Sequence, residues 1–71
     1  MTTIVLAHPN ESCPRFEVFG EYEAPNEYYV FDVAELSSRD DAEQVARHMM
    51  EIYEADHFRR VIDVGERIGG G

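Results

Sequence analysis

Polar and apolar positions alternate along residues 15–23. Phe16, Val18, Gly20 and Tyr22 fall on one side; Glu17, Phe19, Glu21 and Glu23 fall on the other. A period of two puts alternate side chains on opposite faces of a β-strand. Residues 27–36, Glu-Tyr-Tyr-Val-Phe-Asp-Val-Ala-Glu-Leu, are rich in aromatic and β-branched residues and predict a second strand. Ala24-Pro25-Asn26 between them predicts a turn, so the two strands read as a hairpin. Setting Tyr22 opposite Tyr28 pairs Gly20 with Val30, Val18 with Asp32 and Phe16 with Ala34. The other face then pairs Phe19 with Phe31 and Glu17 with Val33. Both faces carry apolar residues in that register. The pattern therefore leaves open which face meets a helix, and a slip of one residue exchanges the faces.

The period changes after Ser38. Ala42, Val45, Ala46, Met49, Ile52 and Tyr53 recur at helical spacing, which predicts a helix from about Arg39 to Ala55 with that stripe facing the sheet. Asp40, Glu43, Arg47, Glu51 and Glu54 fall on the outer side, where Glu43–Arg47 and Arg47–Glu51 are spaced as i,i+4 pairs. Ser38 with Asp41 three residues later resembles a capping box, and Asp40 and Asp41 sit at the positive end of the helix dipole. Residues 2–7, Thr-Thr-Ile-Val-Leu-Ala, predict a short first strand. His8 to Pro14 reads as a loop with two prolines. Phe58 is expected to fold back onto the core. Residues 59–64, Arg-Arg-Val-Ile-Asp-Val, predict a last strand closed by Gly65, parallel or antiparallel to its neighbour. The fold class is α+β: a small three- to four-stranded, mostly antiparallel sheet with one amphipathic helix on one face, in the order β-β-β-α-β. Residues 1–64 form a single domain, and 65–71 are expected to be a flexible glycine-rich tail.

The chain has 71 residues, which bounds it to one small domain. A chain of that size buries roughly 60% of its unfolded surface and has a thin core. A stability of about 5 kcal/mol is expected, and a homodimer would bury more. Hydrophobic residues make up 44% of the sequence, enough for a folded chain rather than a disordered one. With one cysteine, Cys13, an internal disulfide is excluded. No signal-peptide pattern and no long apolar run are present, so the expected place is the cytoplasm, with no membrane contact.

Charge changes the picture most. Fifteen acidic residues face six arginines and no lysine, giving a formal charge of −9. Such a surface repels nucleic acid directly and attracts proteins that bind it. An acidic, lysine-poor surface is also compatible with a halophilic source. Catalytic chemistry finds little footing. His8, His48 and His57 lack metal-ligand spacing. Cys13 has only His8 close in sequence as a base, and reads as a plain loop thiol. Paired carboxylates without a cleft carry no acid–base assignment. No catalytic, cofactor-binding or metal-binding residue is assigned, no cofactor is expected, and an enzyme ranks last. Gly69-Gly70-Gly71 resembles the tail of ubiquitin-like modifiers, but the element order differs from that family.

The partner-binding candidates are Glu17, Glu21, Glu23 and Glu27 on the hairpin, with Asp40, Asp41 and Glu43 on the helix. Same-face positions on a strand repeat every ~6.6 Å, about two phosphate steps of ~3.4 Å along one DNA strand. Tyr22, Tyr28 and Tyr29 flank the hairpin tip and could anchor arginine-rich partners or complete the core. Small size, acidic balance, absent lysine and a hairpin followed by one amphipathic helix over residues 15–64 resemble the small phage-encoded anti-CRISPR proteins, some of which mimic double-stranded DNA. That resemblance implies an inhibitor in a bacterial host cytoplasm that occupies the basic DNA-binding surface of a CRISPR surveillance complex. Arg59-Arg60 departs from an all-acidic surface. The alternative from the residues is a small structural or accessory subunit that self-assembles through a sheet edge or the helix.

Overall fold

The computed structural model describes residues 1–9 and 14–62. Four strands, β1 (Thr2–Ala7), β2 (Phe16–Ala24), β3 (Glu27–Leu36) and β4 (His57–Val61), form one sheet in the order β3-β2-β1-β4. The helix α1 (Arg39–Ile52) packs across β1, β2 and β3. The fold is α+β in the order β-β-β-α-β. β1–β2 and β2–β3 are antiparallel, and β4 joins β1 in parallel at the sheet edge. β4 begins two residues earlier than the sequence pattern predicts. The expected strand positions 63 and 64, the tail at 65–71 and Cys13 lie outside the described residues.

α1 begins where its capping chemistry predicts. Ser38 is extended (φ −115°, ψ 136°), and its Oγ accepts from the Asp41 N–H at 3.5 Å. The helix stops at Ile52, three residues short of the periodic pattern. Glu54 takes a left-handed φ of 48°. The Glu54 N–H then donates to Glu51 O (3.4 Å) and the Ala55 N–H to Met50 O (3.1 Å). These two bonds are the Schellman arrangement that satisfies the last carbonyls of a helix. Ala55 and Met50 both pack on the same apolar cluster, as that motif usually requires.

Ile4 and Leu6 of β1, Val18 of β2, and Ala42, Ala46 and Met49 of α1 make the core between helix and sheet. Of the expected helix stripe, Ala42, Ala46 and Met49 are buried and Val45 is half-buried, while Ile52 is exposed. Met50 packs on the core instead. On the face away from α1, Val5, Ala7 and Phe19 are buried, with Val30 and Val61 against them.

The hairpin register differs from the expected one. Tyr22 pairs with Tyr29, Gly20 with Phe31, Val18 with Ala34 and Phe16 with Leu36. Asp32 and Val33 together oppose the single residue Phe19, which is a β-bulge, and Asp32 takes the left-handed φ of 49°. The turn register puts Tyr29 and Phe31 on the helix face in place of Tyr28 and Val30, and the extra residue returns Ala34 and Leu36 to it while keeping Asp32 out of the core. The ring of Phe31 lies over Gly20, where any side chain would collide with it. The turn is two residues, Pro25-Asn26, with Asn26 at φ 66°. Proline then a left-handed Asn is the residue pattern of a type II turn.

Candidate docking surface

The sheet sorts the carboxylates by face and by end. Glu17 and Glu21 lie on the face away from α1 and are buried, at 5% and 7% exposure. One guanidinium nitrogen of Arg59, Nη2, donates to both carboxylate oxygens of Glu21, at 2.8 and 2.9 Å. Its strand neighbour in β1, Thr3, is also the neighbour of His57, so β4 carries Arg59 to the same face two positions on. Glu43 on α1 is held across the helix–sheet junction by Arg60, with both contacts at 3.1 Å. Arg60 also lies over the Phe58 ring, 4.7 Å from its centroid. Phe58 sits on β4 beside Ile4, and is half-covered rather than part of the core. Glu35 and Arg15 approach to 3.9 Å at the surface. Among the described residues, every buried side-chain nitrogen or oxygen has a hydrogen-bond partner.

These pairings break up both expected sets of carboxylates, on the hairpin and on the helix. Glu17 and Glu21 are taken up inside the sheet and Glu43 is matched to Arg60, so none of these three presents a free carboxylate. The helical spacing Glu43–Arg47 is likewise superseded by the longer-range Glu43–Arg60 contact.

The exposed carboxylates gather at two ends. Glu23 and Glu27 flank the hairpin turn, and Glu27 accepts the Tyr29 hydroxyl. The end of α1 arrives at the same place. Tyr53 stands edge-on to Phe31, with centroids 4.8 Å apart. Beyond it, the Asp56 N–H donates to Thr2 O at 2.8 Å, while Asp56 Oδ2 accepts from the Thr2 N–H at 3.2 Å. Glu54 and Asp56 therefore join Glu23 and Glu27 at one end. Asp40 and Asp41, in the first turn of α1, sit at the other end, beyond Leu36. The nine steps from Glu27 to Leu36 span roughly 30 Å at ~3.3 Å per residue, along a slab of 35 × 28 × 15 Å. None of Glu23, Glu27, Asp40 and Asp41 forms an ion pair with an arginine among the described residues.

The tyrosines divide between the two faces. Tyr22 and Tyr29 are cross-strand neighbours on the helix side, with centroids 6.3 Å apart. Tyr28 lies on the other side, in a shallow groove of about 490 Å³ shared with Glu21, Glu23, His57 and Arg59. Burial, and after it the Glu21 carboxylate, push the Tyr28 hydroxyl up to about 12 from its ordinary 10.0. The Tyr29 hydroxyl is raised as well, chiefly by its bond to Glu27. Thr2, Phe31, Tyr53, Glu54 and Asp56 were not singled out by the sequence as parts of one surface. No local spacing connects them; strand pairing and the helix stop bring them together.

Among the described residues no cluster of three or more His, Cys, Asp or Glu side chains could hold a metal ion. No helix among them is long and apolar enough to cross a membrane. No family model matches this chain, and neither a curated protein nor a solved structure matches it.

Proposed function

We propose that this chain is an acidic binding module that docks on the basic, nucleic-acid-binding surface of a partner protein and excludes polynucleotide from it. The resemblance to DNA-mimicking anti-CRISPR proteins names the effector of a CRISPR system as the class of partner. One observation carries the reading. The arginines of β4 are held against Glu21 and Glu43, so they do not neutralise Glu23, Glu27, Asp40 and Asp41. Two anionic ends about 30 Å apart correspond to roughly nine phosphate steps. Charge arranged so speeds encounter with a cationic groove and loses effect as salt rises.

Self-assembly through the β3 edge is disfavoured by the chain itself. A bulge at Asp32 and the charges of Glu27, Asp32 and Glu35 blunt that edge against a further strand.

The test is capture at low salt from a bacterial lysate, elution by a salt gradient, and repetition with the Glu23→Lys, Glu27→Lys double variant. The reading expects nucleic-acid-binding proteins to elute, and the variant to bind them at least about tenfold more weakly, the equivalent of ~1.4 kcal/mol. Unchanged binding by the reversed-charge variant would contradict it.

A further inference from the structure

We infer that the aromatic hollow at the turn end of the sheet seats the guanidinium of an arginine presented by a cationic partner protein. This rests on the binding reading above and names a contact within it. The hollow is lined by Thr2, Tyr22, Phe31 and Tyr53 and measures about 230 Å³. Sites for small molecules and cofactors begin at roughly 300 Å³; this one has room for a single long side chain. Tyr22 and Tyr53 are exposed at 43% and 39%, so their rings are available as walls rather than spent in the core. Phe31 forms the floor, fixed by its seat over Gly20 and by the edge contact with Tyr53.

Two independent features select a cation. The faces of aromatic rings carry the negative part of a quadrupole and attract positive charge. Carboxylates are also linked to the lining or neighbouring residues, and none of them pairs with an arginine among the described residues. Asp56 is bonded to the Thr2 amide, Glu27 to the hydroxyl of Tyr29 beside Tyr22, and Glu54 follows Tyr53 directly. The N-terminal ammonium binds Glu23 O at 3.1 Å, but Met1 lines the groove shared with Tyr28 rather than this hollow. Arginine suits the place better than lysine. Its guanidinium is planar, stacks on rings and sheds water more easily, and its fork can reach a carboxylate while it stacks. The chain makes the same contact internally, where Arg60 lies over Phe58 while bonded to Glu43.

The experiment titrates the isotope-labelled chain with two peptides of equal length and charge, one alternating arginine with glycine and one alternating lysine with glycine. NMR follows the ring signals of Tyr22, Phe31 and Tyr53. The expected result is a shift of those signals by the arginine peptide, which binds about fivefold or more tightly than the lysine peptide. Tyr53→Leu should weaken the arginine peptide by roughly five- to thirtyfold, whereas Tyr53→Phe, which keeps the ring, binds as the parent does. If Tyr53→Leu fails to fold, the ring shifts and the peptide preference of the parent chain decide alone. Equal affinity for both peptides with the rings unmoved overturns the hollow. If that binding is then abolished by Glu23→Lys with Glu27→Lys, the acidic-module reading survives it. If neither peptide binds, both readings fall.

Discussion

Glu21 keeps its charge inside the sheet because Arg59 Nη2 donates to both of its oxygens from a strand 38 residues later. Removing the arginine strands a buried carboxylate. For fully buried pairs that costs 3–5 kcal/mol, but Arg59 is half-exposed and solvent screens it. Arg59→Met should therefore cost about 1–2 kcal/mol in urea denaturation, and adding Glu21→Leu should recover much of the loss. Tyr28 reports on the same groove. Its hydroxyl is raised to about 12, so the folded state favours the neutral form. Whatever stability this adds is complete below pH 10 and drains away as pH rises from 10 toward 12. Tyrosinate absorbance during an alkaline titration should show one late-titrating tyrosine from this source, and Glu21→Gln should bring it earlier. The sequence displays every one of these charges but not their partners. A glutamate alternating with Phe19 reads as solvent-facing until the parallel docking of β4 supplies an arginine beside it.

At the scale of elements, the places where local pattern falls short share one cause. Asn26, Asp32 and Glu54 all adopt left-handed backbone, and none is glycine. Strand β3 and the start of α1 are legible because aromatic content and the Ser38 cap are local signals. The bulge at Asp32 is not, since nothing in the alternation announces an extra residue. The two-residue turn brings Tyr29 and Phe31 to the helix face, and the bulge then brings Ala34 and Leu36 there. The stop of α1 at Ile52 is hidden in the same way, because the apolar period continues through Tyr53 while Glu54 reverses the backbone. A left-handed residue with a Cβ costs roughly 1–2 kcal/mol, and an acid at a helix C-terminus is further disfavoured by the dipole. Glu54→Gly should thus raise stability by about 1 kcal/mol in thermal or urea unfolding. A loss of stability would mean that the Glu54 side chain does something the Schellman geometry does not account for.

For the whole molecule, the surplus negative charge is visible in composition but its placement is not. The sequence predicts one row of carboxylates on the hairpin and a second on the helix. Folding divides these rows: Glu17 and Glu21 go inward, Glu43 takes Arg60, and carboxylates that pair with no arginine among the described residues remain at the two ends of a thin slab. The turn end gains Glu54 and Asp56, which sequence separates from the Pro25-Asn26 turn by more than twenty residues. Long-range pairing decides both outcomes, and that is the part of a small α+β fold that period and propensity leave unspecified. The account predicts that a captured nucleic-acid-binding partner holds this chain and double-stranded DNA at one surface. Competition measures this most directly: a preformed complex of chain and partner is titrated with duplex DNA at fixed low salt. Displacement of the chain by duplex, to completion and with a single midpoint, is the predicted result. A ternary complex in which the partner holds both would contradict it.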